Sequence, residues 1–280
     1  MWESLQLEFM RNALTAGIIV SIVCGVIGTL VVVNRIVFLA GGIAHAAYGG
    51  IGLAVFMGWP YLIGTLGFSL LSAGVMAVVT LKSKHRADAM IGVIWAVGMA
   101  TGIILLDLTP GYTVDLMSYL FGSILAVSSS DLWEMGFMGL LIIALVTYFY
   151  NDFLAMSFDD EYARLRNIPI NFLYFLLLGM IAVSVVMIIR VVGLILVIAL
   201  LTIPPFISEK FTGSLRTMII FSSILSGLFT VTGLWLSYVL NLTAGAAIIL
   251  VAAGGFVTAM IWSHIRCWML PNAPIETNVS

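Results

Sequence analysis

The chain has 280 residues, of which 62% are hydrophobic and only 9% are charged, and its formal net charge is −2. A soluble domain has no use for so much apolar surface, so the composition predicts a polytopic membrane protein. It also argues against a nucleic-acid partner, because no basic cluster exceeds the group formed by Lys82, Lys84 and Arg86.

Nine apolar runs follow one another along the chain, each about long enough for one membrane crossing. A spanning helix needs about 20 mostly apolar residues. The predicted spans are 13–33, 36–57, 60–81, 88–107, 132–150, 170–189, 191–208, 215–239 and 243–264. The sequence therefore predicts an all-α transmembrane bundle of about eight to nine spans, and no linker divides residues 1–280 into more than one domain.

The boundary between the sixth and seventh spans depends on a single residue. Arg190 alone interrupts the apolar stretch 170–208, which is far too long for one crossing. A charge in the middle of a bilayer costs about 2.5–3.5 kcal/mol even on the lenient insertion scale. We therefore expect Arg190 to lie at a surface turn.

The basic residues set the orientation of the bundle, because the cytoplasmic loops of membrane proteins are enriched in lysine and arginine. When the nine spans alternate in direction, nine of the eleven basic residues fall on one side: Arg35, Lys82, Lys84, Arg86, Arg164, Arg166, Lys210, Arg216 and Arg266. We assign that side to the cytoplasm, which leaves only Arg11 and Arg190 outside. The N-terminus is then predicted outside and the C-terminal tail inside.

Two stretches depart from the pattern of simple spans. Residues 116–127 are apolar but too short to cross, and we expect a re-entrant or interfacial helix there. Pro204 and Pro205 close the seventh span and remove two backbone donors. They either end that helix or kink it near the cytoplasmic face, where a kink could act as a hinge.

A charged island at 157–168 separates the fifth and sixth spans. Ser157 followed three residues later by Asp160 fits an N-terminal cap, and arginines near the end of the segment suit the helix dipole. Three apolar side chains recur at the spacing of one helix face: Phe158, Tyr162 and Leu165. The pattern predicts a short helix on the cytoplasmic membrane surface, with its charged side open to a soluble partner.

His45 is the one histidine well inside an apolar run, with Gly41 and Gly49 one turn before and after it. Small residues on the adjacent ridge would let another helix approach closely: Gly42, Ala46, Gly50 and Ala54. Neutral imidazole ligates zinc and other first-row divalent ions. His45 is thus either a ligand on a metal path or a structural histidine that bonds a neighbouring carbonyl. A lone imidazole would need further ligands from water, other spans or a second copy.

No motif in the chain supports catalysis or nucleotide binding. A phosphate-binding GxxxxGK[ST] loop is absent, since none of the three lysines follows a glycine. We therefore expect a transport protein with no stably bound cofactor, and not an enzyme. Its energy must come from an ion gradient or from a separate ATPase that grips the charged helix.

Five segments together resemble the membrane-spanning permeases of ABC-type manganese, zinc and iron importers. They are GGIAHAAYGGIGLA at 41–54, YLFGSILAVSSSDL at 119–132, FDDEYARLRNI at 158–168, VVGLILVIALLTIPP at 191–205 and SYVLNLTAGAAIIL at 237–250. The resemblance covers most of the chain, and the order and spacing of the segments are more specific than any one of them.

The resemblance implies a permease subunit that moves a divalent metal ion inward by alternating access. It implies a homodimer that works with ATPase subunits and with an extracellular or periplasmic metal-binding protein. It makes the charged island a coupling helix, with four residues at the ATPase: Asp160, Glu161, Ala163 and Arg164. It also places His45 on the metal path, with the ion as substrate.

Four positions depart from the family pattern. Gly41 and Asn241 stand where aspartate is usual, Thr243 stands where proline is usual, and Asn167 stands where glycine is usual. Losing a carboxylate beside His45 removes a hard oxygen ligand and a charge that attracts dications. The identity of the ion therefore does not follow from the resemblance.

Two other functions compete with this one. A permease for a metal chelate, such as a siderophore or corrinoid, would need a wider path than the small-residue ridge beside His45 suggests. A gradient-driven secondary transporter, or a membrane scaffold, is the other alternative. Such carriers commonly hold buried acidic residues for coupling, and this chain has none clearly in mid-span.

Overall fold

A computed structural model describes residues 8–82, 87–110, 122 and 124–269 of the chain. Within them lie eleven α-helices and a 3₁₀ turn at Ile124–Ala126. The helices are α1 (Glu8–Val33), α2 (Val37–Met57), α3 (Tyr61–Lys82), α4 (Ala87–Asp107), α5 (Ser129–Tyr148), α6 (Tyr150–Phe158), α7 (Asp160–Leu165), α8 (Ile170–Val192), α9 (Leu194–Phe211), α10 (Leu215–Leu240) and α11 (Ala244–Met269).

The predicted spans are confirmed: nine helices in the described ranges are long and apolar enough to cross a membrane. Those nine are all but the short α6 and α7. Helices α1, α2 and α8 are mostly buried and form the centre of the bundle, whereas α4, α5, α10 and α11 expose most of their residues. An apolar outer face is what a bilayer requires of helices that contact lipid. The chain is a multi-pass membrane protein.

The fifth span begins at Ser129, three residues earlier than predicted. Ser128 caps it: its hydroxyl accepts from the Asp131 amide, and the Asp131 carboxylate accepts from the Ser128 amide. This reciprocal pair satisfies two backbone donors at the helix start and extends the helix into a polar stretch that hydropathy alone leaves out.

The small-residue ridge of α2 works as predicted. A methyl group built on Gly50 would lie 2.6 Å from the carbonyl oxygen of Gly64 on α3, and one on Gly98 of α4 would lie 2.8 Å from the α-carbon of Ala46. Such distances are shorter than any normal carbon contact, so both neighbours touch α2 backbone to backbone. Helix α2 is therefore clamped between α3 and α4.

The prediction of a surface turn at Arg190 is wrong in position. The sixth span runs on through Arg190 to Val192, and the chain breaks at Gly193, whose φ of 79° suits glycine. Gly193 is buried, because Gly122 packs so closely on its amide that a side chain at residue 122 would collide. The division into two spans holds, and the break lies three residues after the charge, at a buried glycine.

The segment at 116–127 can be checked only in part, since 116–121 and 123 lie outside the described residues. Its last part forms the 3₁₀ turn at Ile124–Ala126 and rests on the start of α1, where the Asn12 side chain donates to the Val127 carbonyl over 3.1 Å. This part of the chain thus covers the ends of α1 and α8 on the predicted outer side.

Pro204 and Pro205 do not end the seventh span. Helix α9 continues through both to Phe211. The prolines deprive two carbonyls one turn earlier of their usual donors. One of these, the Leu201 carbonyl, faces Gly28 of α1, where a methyl group would lie only 2.6 Å away. Close packing against α1 therefore supports the helix where its own hydrogen bonds are missing.

Candidate functional site

His45 lies in the middle of α2, about 12 Å along the helix axis from its first residue. Its Nδ1 atom is 2.9 Å from the carbonyl oxygen of Gly41. A carbonyl can only accept, so Nδ1 carries the proton and donates, which leaves the lone pair of the neutral ring on Nε2. The two roles left open for this residue are therefore compatible: the ring bonds a carbonyl through one nitrogen and keeps the other for a ligand.

The imidazole of His45 is half-buried and lies against α4. Its centroid is 3.8 Å from that of the Trp95 ring, with 32° between the two planes. The Trp95 indole is also half-buried, and its N–H points to the sulfur of Met99 at 3.3 Å. An aromatic neighbour on α4 thus covers one face of the imidazole.

Among the described residues, one copy of the chain offers a metal ion at this site a single imidazole. In the described part of the chain, no three histidine, cysteine, aspartate or glutamate residues come together as a metal-binding group. Gly41 offers no side chain, His264 is exposed near the end of α11, and His85 lies outside the described residues. A metal ion at His45 therefore needs ligands from water or from a second molecule.

The charged island forms the short helix α7, and its cap is Asp159 in place of the predicted Ser157. The Asp159 carboxylate accepts from the Tyr162 amide over 2.8 Å. Ser157 belongs instead to the last turn of α6, where its hydroxyl accepts from the side chain of Asn34 over 2.9 Å. Aspartate caps as well as serine does, and the serine is already engaged by another part of the fold.

Helix α7 presents both charged and apolar groups at the surface. Glu161 and Arg164 are exposed, and so are Phe158, Tyr162 and Leu165, the last to 84%. Ala163 is fully buried and is the side by which α7 rests on the bundle. Four residues are predicted to meet an ATPase. Glu161 and Arg164 are open to solvent, and Ala163 faces inward. Asp160 lies in the first turn of α7.

Helix α6 was missed by the sequence analysis, and it ties α7 to the bundle. Phe153 of α6 is fully buried, and Asn34, which bonds Ser157, also donates to the Leu30 carbonyl over 2.8 Å. Helix α6 has only nine residues and follows directly on the fifth span, so the hydropathy pattern gave no separate signal.

A cavity of about 1110 Å³ lies behind α7, at the predicted cytoplasmic side. The inner ends of α1, α3 and α9, the starts of α2, α4, α8 and α10, and parts of α6 and α7 all border it. This convergence agrees with the predicted alternation in the direction of the spans. Five charged side chains line the cavity: Arg35, Asp88, Asp159, Arg164 and Glu209. Asp159 and Arg164 both belong to the charged island, but the other three are far from it in sequence, so no motif could have grouped all five.

Two of the departures from the family pattern lie at backbone positions with positive φ. Asn167 has φ 55° just after α7, and Asn241 has φ 52° at the end of α10. Among residues with a side chain, asparagine is one of those that best tolerate this left-handed conformation. Asn167 therefore tolerates the left-handed backbone that this position adopts.

A family comparison matches residues 6–263 to the ABC 3 transport family. An uncharacterized membrane protein of Synechocystis sp. is 48% identical over 260 residues, which are 93% of this chain and 92% of that protein. The manganese transport system membrane protein MntC of Listeria monocytogenes is 34% identical over 259 residues, or 92% of each chain.

A solved structure has the same fold. It is PsaBC from Streptococcus pneumoniae in complex with a Fab, which aligns with a TM-score of 0.83 and 32% sequence identity. The alignment covers 92% of this chain and 93% of the other.

Proposed function

The chain belongs to the ABC 3 transport family, and on that basis we propose that it is the permease subunit of an ATP-driven importer of divalent metal ions, with manganese as the first candidate. The single observation that carries this proposal is the half-buried His45 in mid-span, whose Nε2 is available for a ligand. Manganese is favoured because relatives such as the Listeria protein are named manganese transport systems. Zinc and iron, which also accept imidazole ligands, are the other candidates.

Two copies of the chain supply the ligands that one copy lacks. A symmetric dimer with His45 near its axis brings two imidazoles to one ion, and water or backbone oxygens complete the set. No carboxylate stands at position 41, so such a site holds a dication less tightly than one with an aspartate there. Weak binding suits a transport path, because an ion must leave the site as readily as it enters.

Energy comes from an ATPase subunit that docks on α7. Its exposed surface offers Glu161 and Arg164 as charged contacts and Leu165 as an apolar one, and Asp160 lies in the same helix. Ala163 acts indirectly, because its buried methyl seats the helix on the bundle. The cavity behind α7 gives this helix room to move when the ATPase closes.

Transport follows alternating access. Movement of α6 and α7 reaches the bundle through Phe153 and the bond between Ser157 and Asn34, at the turn from which α2 starts. The outward-facing state receives the ion from an extracellular or periplasmic binding protein, and the inward-facing state releases it to the cytoplasm. The tight contacts of α2 with α3 and α4 favour rigid-body motion of these helices over bending.

Uptake of manganese by proteoliposomes that contain the chain and its ATPase tests the metal path. We expect ATP-dependent uptake, and His45→Ala should lower it at least about tenfold, as loss of metal-site residues does. His264→Ala is the matched control, because that histidine is exposed near the C-terminal end of α11. Uptake that is equal in the two variants would remove His45 from the path.

The coupling surface is tested in the same vesicles. The double variant Glu161→Ala with Arg164→Ala should bind the ATPase weakly and lose most ATP-dependent uptake. Arg216→Ala, an exposed basic residue on the same predicted side, should behave as wild type. Full uptake by the double variant would show that the ATPase docks elsewhere.

A further inference from the structure

The packing of α4 against α2 places one particular side chain over His45. A methyl group on Gly98 would lie 2.8 Å from the α-carbon of Ala46, and one on Gly49 would lie 2.8 Å from the Gly98 carbonyl oxygen. The two helices therefore touch along their backbones just beside the histidine. Trp95 lies three residues before Gly98, so this contact sets its ring directly against the imidazole.

The orientation of the Trp95 indole is fixed by two further contacts. Its N–H points to the Met99 sulfur at 3.3 Å, and its other neighbour is the Phe38 ring, with centroids 6.1 Å apart. The centroid distance of 3.8 Å and the angle of 32° between the two planes show that the indole meets His45 with its face. The face of an indole is electron-rich and attracts positive charge.

The imidazole of His45 is consequently held at two points. The Gly41 carbonyl fixes Nδ1 at 2.9 Å, and the indole covers one face with a centroid distance of 3.8 Å. Two restraints on a side chain with two torsions leave Nε2 one direction in which to point. Partners of this kind, outside the ligand shell, are what orient metal-binding histidines in proteins.

We propose that Trp95 is the residue that positions His45 for metal binding and favours the metal-bound ring. A dication on Nε2 draws electron density from the imidazole and leaves it positively polarised, and the indole face stabilises that state. Gly41 offers no carboxylate, so the indole face joins the Gly41 carbonyl oxygen as an electron-rich group in contact with this ring. The inference rests on the proposed function for the identity of the cargo, but not for the binding of a metal at His45.

Uptake kinetics test the positioning role. In proteoliposomes with the ATPase, Trp95→Ala should raise the manganese concentration for half-maximal uptake about tenfold. Trp95→Phe keeps an aromatic face, so its half-maximal concentration should remain within about threefold of wild type. If Trp95 only filled space, the smaller phenylalanine ring would not replace it so well. Trp133→Ala, which removes a tryptophan that is 82% exposed on α5, should change nothing. Equal half-maximal concentrations for Trp95→Ala and wild type would overturn the proposal.

Fluorescence tests the same contact without transport. Paramagnetic Co²⁺ is a suitable probe, because it accepts imidazole ligands and quenches an indole in contact with its ligand. The chain has seven tryptophans, so the signal of interest is the part of the quenching that is lost in Trp95→Phe. That part should also be lost in His45→Ala, which retains Trp95. Quenching that is unchanged in either variant would overturn the proposal.

The outcomes separate this inference from the proposed function. If wild-type vesicles fail to take up metal while Co²⁺ quenching depends on both residues, the proposed function fails, whereas metal binding at His45 against the Trp95 ring stands. If uptake depends on His45 but neither uptake nor quenching depends on Trp95, the proposed function stands and the positioning role fails.

Discussion

Replacement of Gly98 by alanine measures how tightly α4 is held against α2. The new methyl group would lie 2.8 Å from the Ala46 α-carbon and 3.1 Å from its β-carbon. Carbon atoms in normal contact are about 3.5–4.0 Å apart, so the deficit is about 0.7–1.2 Å. The partner is backbone in the middle of a buried helix, and no side-chain rotation can relieve the clash. The two helices must move apart.

The stability loss follows from the cost of overpacking, which is about 1–3 kcal/mol for an added methylene in a packed interior. At about 2–4 °C for each kcal/mol in chains of roughly this size, Gly98→Ala should melt about 2–12 °C below wild type. Thermal unfolding of the purified protein in detergent is the assay.

Gly92→Ala is the matched control. Gly92 lies in the same helix, and a methyl group there has no atom within 4 Å. Alanine is the better helix former by about 1 kcal/mol, so this variant should melt at or slightly above the wild-type temperature. Equal melting temperatures for Gly98→Ala and Gly92→Ala would refute the reasoning, because they would mean that α2 and α4 are not in backbone contact.

Three further variants probe α6, α7 and their surroundings. Asp159→Ala removes the cap of α7 and should destabilise that helix by about 1 kcal/mol. The loss should appear as faster hydrogen exchange at the Tyr162 amide. Asp159→Asn keeps an acceptor, so its Tyr162 amide should exchange as in wild type. Asn167 has a left-handed φ of 55°, which costs alanine about 1–2 kcal/mol, so Asn167→Ala should lower the melting temperature and Asn167→Gly should not. An equal decrease in melting temperature for both variants would contradict a left-handed backbone at this residue. Ser157→Ala leaves the side-chain amide of Asn34 without this partner and should lower the stability of the protein by about 1 kcal/mol. We also expect this variant to move fewer metal ions for each ATP hydrolysed. An unchanged ratio would mean that the bond transmits no motion.

The bundle itself could be predicted from the sequence, because a span needs only length and low polarity. Nine runs of about 20 apolar residues specify nine crossings. The direction deduced from lysine and arginine stays a prediction. The same reasoning erred at Arg190, since it took the charge as the break. The chain breaks at Gly193, where a positive φ and the close contact with Gly122 require a residue without a side chain.

The cap of α7 shows a limit of local patterns. Both Ser157 and Asp159 are good capping residues, and the choice between them depends on Asn34, which lies 123 residues away from Ser157 and occupies its hydroxyl. The prolines of α9 show the same limit. Local chemistry predicts a break or a kink, and the contact with Gly28 of α1 lets the helix continue.

The candidate site was half predictable. His45 could be found because a histidine in an apolar span is unusual, and its glycine neighbours indicated close packing. Trp95 could not be found, since an aromatic residue in a span gives no sign of what it touches. The contact between the two rings depends on the register of α4 against α2, which Gly98 sets and which no periodicity within a single helix records.

The hydrogen bond between Asn34 and Ser157 has a mechanical consequence. It ties the end of α6, next to the proposed ATPase-docking helix α7, to the turn from which α2 begins, only eleven residues before His45. The turn between α1 and α2 is restrained, because Arg35 adopts a left-handed φ of 57° and Ile36, the next residue, is buried. A displacement of α6 is thus transmitted through this bond to the first turn of α2, the helix that carries His45.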